Sequence, residues 1–368
     1  MNLKDYFIHS DITQAHTLPA DFYRNPKVFE LVKEAIFART WHCIGLQTDV
    51  YGSGSVQPFV LMEGYLNEPL LLTRDEADKL HCLSNVCTHR GNILIEEGGT
   101  CNEIRCRYHG RRFELNGKFR SMPEFKEARN FPSEEDHLPQ LPLKTLGELL
   151  FTALNPAYSF EEWMKPIKDR IGWMPLEDFY HSPDHSKTYT VQANWALYVD
   201  NYLEGFHIPF VHPGLNERLK YNEYSYEIFP WANLQLGIAR EGEMTFNIPI
   251  NHRDYGKPVH AWYFWLFPNI MLNFYPWGLS LNLIQPLSPF ETQIRFETFI
   301  WKDDLFDLAS QDLMHLTELE DEAIVEMVQR GVQSRLYHKG RFSPKMEVGV
   351  HHFHKLISEV LTGKPVVA

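Results

Sequence analysis

Two short segments constrain this chain more than anything else in it: Asn85-Val-Cys87-Thr-His89-Arg-Gly91 and Arg105-Cys106-Arg-Tyr108-His109-Gly110. Each carries one Cys and one His, as Cys-x-His, a gap of sixteen residues, then Cys-x-x-His. Thiolate and imidazole at such spacings are metal donors. The other cysteines are Cys43, Cys82 and Cys101, and five in 368 residues make no disulfide framework. Cys43 and Cys82 sit in apolar contexts and read as core residues, Cys101 as a surface or packing residue.

The donor set admits two metals. A Cys2His2 zinc site uses the same atoms, but zinc modules usually pair two Cys in one turn and two His in one helix. Here each loop mixes the types, which suits a [2Fe–2S] centre with two Cys on one iron and two His on the other. Gly91 and Gly110, just behind the pairs, let backbone approach the sulfides, where N–H donors tune the potential.

The chain is long for one domain, given a soft prior of about 150 residues per domain. An apolar share of 44% suffices for sizeable cores, and a net charge of −13 argues against nucleic-acid or anionic-membrane partners. The first thirty residues lack a basic-then-apolar leader, and no apolar run is long enough for a membrane span, so a cytoplasmic protein is expected.

Residues from about 40 to 155 read as short strands between glycines, with a predicted hairpin at Glu114–Gly117 whose Asn116-Gly117 supplies positive φ. The expected class is α+β: an all-β module over 39–157, then a catalytic domain over 158–368 with an antiparallel sheet flanked by helices. Residues 1–38 are expected to pack on the second. Residues 194–208 predict a helix stopped by Pro209, residues 221–301 a large antiparallel sheet, and Asp307 to about Tyr337 one long amphipathic helix.

A second constellation lies in Glu204-Gly-Phe-His207-Ile-Pro209-Phe-Val-His212. On a helix, Glu204 and His207 share a face. His212 is off that face, and Pro209 is expected to bend the chain so that both imidazoles reach one metal. Two His and one carboxylate leave three positions open, as in non-heme Fe(II) oxygenases. The third ligand is expected on the long helix. Asp321 falls among Met314, Ile324, Val325 and Val328, with Glu320 as its rival, whereas Glu318, Glu322 and Glu326 read as a solvated stripe.

With both constellations, the chain resembles the α subunits of Rieske non-heme iron oxygenases from about residue 38 to about 360. The acidic pair Glu320-Asp321 ahead of Gln329-Arg-Gly331 matches the family's carboxylate position and favours Asp321. The resemblance implies that Glu204 bridges His207 to the cluster His109 of a neighbouring subunit, within a head-to-tail homotrimer. Respiratory-chain Rieske proteins carry an extra Cys in each cluster loop, which is missing here. Two departures stand out: Arg111-Arg112 where most members have Trp, and Glu204 where Asp is usual.

The run Asp200–His207, Pro213-Gly-Leu215 and Phe267–Asn273 look nearest to the choline, carnitine and glycine-betaine monooxygenase branch. The resemblance implies an O2-dependent oxygenase component acting on a quaternary-ammonium or methylamine-type substrate. Trp262, Phe264, Trp265, Phe274, Tyr275 and Trp277 are candidate cation–π walls, although most alternate as sheet-core residues would. No dinucleotide-binding glycine motif is evident, so NAD(P)H is expected to be oxidised by a separate reductase or ferredoxin system. Competing readings are an aromatic-ring dioxygenase, a Rieske electron-transfer protein and a binding module with a vestigial triad. In the last two the triad has no catalytic role. His351-His352-Phe353-His354 reads as packing or surface.

Overall fold

The computed structural model describes residues 2–309 and 311–363. The chain divides into two compact units, one of residues 38–157 and one of residues 1–37 with 158–368.

The smaller unit is built from three antiparallel sheets. In the largest, Ser55–Leu61, Glu68–Arg74 and Leu80–Ser84 pair in sequence order. A three-stranded meander follows (Ile104–Arg105, Arg112–Phe113, Phe119–Ser121). The sequence suggests a strand over Arg105–Tyr108, but pairing stops at Arg105 because the next residues form the second metal-donor loop. In the 114–117 turn Gly117 takes positive φ (83°) and Asn116 does not. Leu71, Leu83, Ile104 and Phe113 form the core beneath Cys87 and Cys106.

The larger unit is organised on an eight-stranded antiparallel sheet. Six strands from Ser225–Phe229 to Glu291–Ile300 run as consecutive hairpins, and Tyr180–His181 and Lys187–Val191 both pair with Glu291–Ile300. The central strands are buried on both faces, so clear alternation survives only along Glu291–Ile300. One cross-strand row, Gln235, Tyr263, Asn273, Ser280 and Thr298, is directly opposed from strand to strand and therefore shares a face. The N-terminal segment is tied to the C-terminal helix Val348–Thr362: the N–H of Ile8 donates to Ser358 Oγ (3.0 Å) and that of Leu18 to His354 Nδ1 (3.1 Å).

Two helix expectations are corrected. The helix expected over 194–208 spans only Trp195–Tyr202, with Asn194 Oδ1 capping the Ala196 N–H. Pro209 does not end it. It lies in the first turn of a second short helix, Ile208–Val211, where its missing N–H costs nothing. The single helix expected over 307–337 is instead Asp303–Leu308 and Gln311–Val332. Among the described residues no helix is long and apolar enough to cross a membrane.

Candidate functional site

The two Cys-His loops have matching backbones. The Cys87 N–H donates to the Asn92 carbonyl and the Cys106 N–H to the Arg111 carbonyl, both at 2.8 Å. Gly91 and Gly110, at φ 71° and 74°, each return an N–H to the cysteine carbonyl four residues back. An L side chain is strained at such φ, which is why glycine recurs at both places. The loops bury both cysteines and leave His89 and His109 half-buried, their rings 4.8 Å apart. The imidazole side thus faces outward and the thiolate side faces the core.

A metal group fits this cradle. Burial, above all, pushes the Cys87 thiol up, with Cys106 beside it, so two thiolates here need a metal's charge. His109 Nδ1 is buried with no protein partner. Behind the loops Arg111 is buried, ion-paired with Asp136 Oδ1 (2.6 Å) and lying 4.9 Å from the Phe119 ring centroid. The position after the second His-Gly, where the resemblance leads us to expect Trp, is thus filled by a planar cation among aromatic rings.

In the larger unit the chain leaves its helix at Leu203 and turns through Glu204–Phe206. Gly205 permits this, because a Cβ there would meet the Tyr224 ring at 3.0 Å. Glu204 and His207 therefore meet across a turn, not along a helix face. Glu204 accepts the His207 N–H (3.0 Å) with Oε2 and faces its Nδ1 (2.7 Å) with Oε1. His212 closes the following short helix and is 1% exposed.

Asp321 Oδ1 is 3.0 Å from His212 Nε2 and 3.5 Å from His207 Nε2, and the three donor atoms lie within 4.8 Å of one another. Glu320 instead faces the far nitrogen of His212, Nδ1, at 2.7 Å. Each imidazole thus offers Nε2 to one point while a glutamate holds Nδ1, the outer arrangement that orients metal-bound histidines. Burial pulls the His212 pKa down, but the hydrogen bonds and charges of Asp321 and then Glu320 outweigh it, lifting it to about 8. A cation at the shared point would relieve that excess of negative charge. Two His and a carboxylate suit ferrous iron.

These groups line a cavity of about 800 Å3, with the sheet row Gln235, Tyr263, Asn273, Ser280 and Thr298 as one wall. The expected aromatic walls are mostly elsewhere. Trp262, Phe264, Trp265 and Phe274 are fully buried core residues, while Tyr275 and Trp277 do line the cavity. Tyr189, Tyr198, Tyr202 and Tyr263 also line it and were not singled out from sequence.

The solvated stripe is likewise corrected. Glu318 lines the cavity and accepts from the Tyr198 hydroxyl (2.9 Å), and burial followed by repulsion from Asp321 raises its pKa to about 8. Glu322 is raised to about 7, by burial first, and Glu326 accepts the Gln192 N–H. This side of the long helix packs against Trp195–Tyr202 and Lys187–Val191 rather than facing water. Val328, expected on the apolar side, is exposed. The signal available in sequence was the Glu318-x-x-Asp321 spacing, which puts both carboxyls on one face. His351, His352 and His354 have separate partners, the His9 carbonyl, Asn233 and Asp200, as packing residues do.

Residues 40–132 match the Rieske [2Fe-2S] domain, and residues 179–363 match the ring hydroxylating alpha subunit (catalytic domain). Choline monooxygenase, chloroplastic, of Arabidopsis thaliana is 29% identical over 366 residues, covering 94% of this chain and 83% of that protein. The carnitine monooxygenase oxygenase subunit of Escherichia coli (strain K12) is 28% identical over 363 residues, 94% of each. A solved quaternary ammonium Rieske monooxygenase, studied for carnitine oxidation by gut microbiota, has a similar fold: TM-score 0.75 at 24% identity, covering 97% of this chain and 98% of that one. Naphthalene 1,2-dioxygenase from Rhodococcus sp. shares the fold at TM-score 0.70 and 18% identity, covering 95% of each. The chain therefore belongs to the ring-hydroxylating α-subunit family: it is a Rieske non-heme iron oxygenase, with a [2Fe–2S] domain followed in sequence by a mononuclear-iron catalytic domain.

Proposed function

We propose that the chain is the oxygenase component of a system that oxidises a C–H bond of a small quaternary-ammonium substrate, with electrons from a separate NAD(P)H reductase. Cys87, His89, Cys106 and His109 hold the cluster, and His207, His212 and Asp321 hold the iron. The observation that carries the reading is the convergence of His207 Nε2, His212 Nε2 and Asp321 Oδ1 at the edge of a large cavity, each imidazole held from behind by a glutamate. The substrate class follows the choline and carnitine monooxygenases that resemble the chain over most of its length.

When bound, the cluster supplies single electrons and the ferrous ion provides the site of O2 reduction. The protein's part is positioning. Glu204 and Glu320 fix the two rings, Asn201 Nδ2 donates to Asp321 Oδ1, and the cavity offers the substrate room beside them.

Glu204 is the electron bridge to His109 of a neighbouring copy in a head-to-tail homotrimer. Phe206 and Phe210, either side of His207, are 43% and 79% exposed, as side chains awaiting a subunit are. The cytoplasm, where a soluble reductase is at hand, is the proposed compartment.

The purified protein is expected to hold about three iron atoms and to consume O2 only with substrate and reductase. Glu204→Gln is expected to keep both metals and lose turnover. Unimpaired turnover in that variant would remove the bridging role, and zinc in a colourless protein would remove the whole reading.

A further inference from the structure

We propose that Glu318, within a set of tyrosines, is the counter-charge that binds the cationic nitrogen of the substrate. The inference rests on the oxygenase reading and names the group by which that site recognises its substrate.

Glu318 is one helical turn before Asp321 on the helix Gln311–Val332, so their side chains project from one face. It lies deep in the fold yet keeps accessible surface, as a group facing an internal cavity does. Among the described residues it accepts a hydrogen bond from the Tyr198 hydroxyl, and no Lys or Arg forms an ion pair with it. A buried carboxyl without a cation is unfavourable as an anion.

The surroundings favour a bound cation over a metal or an anion. The phenols of Tyr189, Tyr198, Tyr202 and Tyr275 all feel the Glu318 charge, so they cluster about it. Tyrosine faces attract a quaternary nitrogen, which offers no N–H for a hydrogen bond. Tyr275 stacks on Trp277 with centroids 5.2 Å apart, which fixes its ring. Carboxylates also outnumber Lys and Arg in the cavity lining, which holds Asp184, Glu204, Glu243, Glu318 and Asp321 against Lys187 and Arg218, with five histidines besides. Asp321 is committed to the metal, and Glu204 faces His207. Asp184 is exposed, and of the two carboxyls on this face of Gln311–Val332 Glu318 is the one left for the substrate.

The test compares choline, carnitine and phenyltrimethylammonium with 3,3-dimethylbutan-1-ol, the uncharged carbon isostere of choline, by calorimetric titration of metal-loaded protein. Wild-type protein is expected to bind at least one cation about tenfold or more tightly than the isostere. Glu318→Gln, which can still accept from Tyr198, is expected to erase that preference while keeping isostere binding, iron content and visible spectrum. A preference below twofold in wild-type protein, no saturable cation binding, or an undiminished preference in the variant would each overturn the proposal. An equal loss for cation and isostere would make Glu318 structural and overturn it too.

Should Glu318→Gln lose its iron, Tyr275→Leu carries the test. It keeps apolar contact and removes the π face, so cation affinity alone is expected to drop about fivefold. Unchanged affinity there overturns the proposal. Substrate-dependent O2 uptake is scored separately. Its absence sinks the oxygenase reading and leaves the binding comparison standing, whereas lost discrimination sinks this inference and leaves the oxygenase.

Discussion

The two metal sites of this protein are assembled by opposite routes. The proposed cluster donors sit on two short loops of like conformation within one small β unit, and each loop brings its own glycine and its own backbone hydrogen bonds. The proposed iron donors come from a turn, the end of a four-residue helix and a long helix more than a hundred residues further on. A locally built site depends on its loops. A site gathered from distant elements depends on packing and on the groups that hold its ligands from behind.

The largest effects would test that independence. Asp321→Ala is expected to lose the mononuclear iron and all substrate-dependent O2 uptake, while keeping the cluster's visible absorbance and about two iron atoms. Cys106→Ala is expected to do the converse, losing the colour and keeping the mononuclear iron. Iron analysis with absorbance on both variants checks this. If either substitution empties both sites, the two are not separately built.

The next effect is smaller and falls on the supporting groups. Glu320→Gln leaves the three iron donors in place and weakens the hold on His212 Nδ1. Loss of such outer partners typically costs 10–100-fold in metal affinity, and about that fall is expected in a ferrous-ion titration. Glu320→Ala emptying the site while Asp321→Ala retains iron would exchange the two roles.

This contrast also explains what could be read from sequence. The cluster ligands are legible because spacing alone defines them: a Cys, a His and a glycine within five residues leave few other meanings. His207 and His212 stood out in sequence only beside that motif, and the path between them was not legible. Pro209 suggested a helix breaker, whereas the break comes earlier, at Leu203, where Gly205 lets the chain pack against Tyr224. Pro209 only opens the next turn.

The long helix was the hardest to read. Periodicity places Glu318, Glu322 and Glu326 together but cannot say what they face, and an acidic stripe over water looks the same as one over a cavity. The tyrosines were hidden for a related reason. Tyr198 and Tyr202 lie on one helix, Tyr189 and Tyr263 on separate strands, and only the folded sheet brings them round one space.

The smallest expected effect sharpens the comparison from the cluster side, where Arg111 is buried behind the second loop. Its guanidinium is 2% exposed, whereas the Asp136 carboxylate it pairs with is 18% exposed and also accepts from the Ser133 N–H and hydroxyl. The two halves of the pair are therefore unequal. Asp136→Asn leaves a cation buried among Phe113, Phe119 and Phe131 with its charge uncompensated, at a cost of about 3 kcal/mol. Arg111→Leu leaves a carboxylate that retains two donors and some water, and puts an apolar side chain into an apolar slot, so roughly 1 kcal/mol is expected. Denaturant melting followed by the cluster's absorbance measures both. The reverse order would mean that Arg111 holds the 123–136 segment onto the cluster loops through more than its charge, through the hydrogen bond it also gives to the Asp136 carbonyl, the same oxygen that accepts from Thr88 Oγ1 in the first cluster loop.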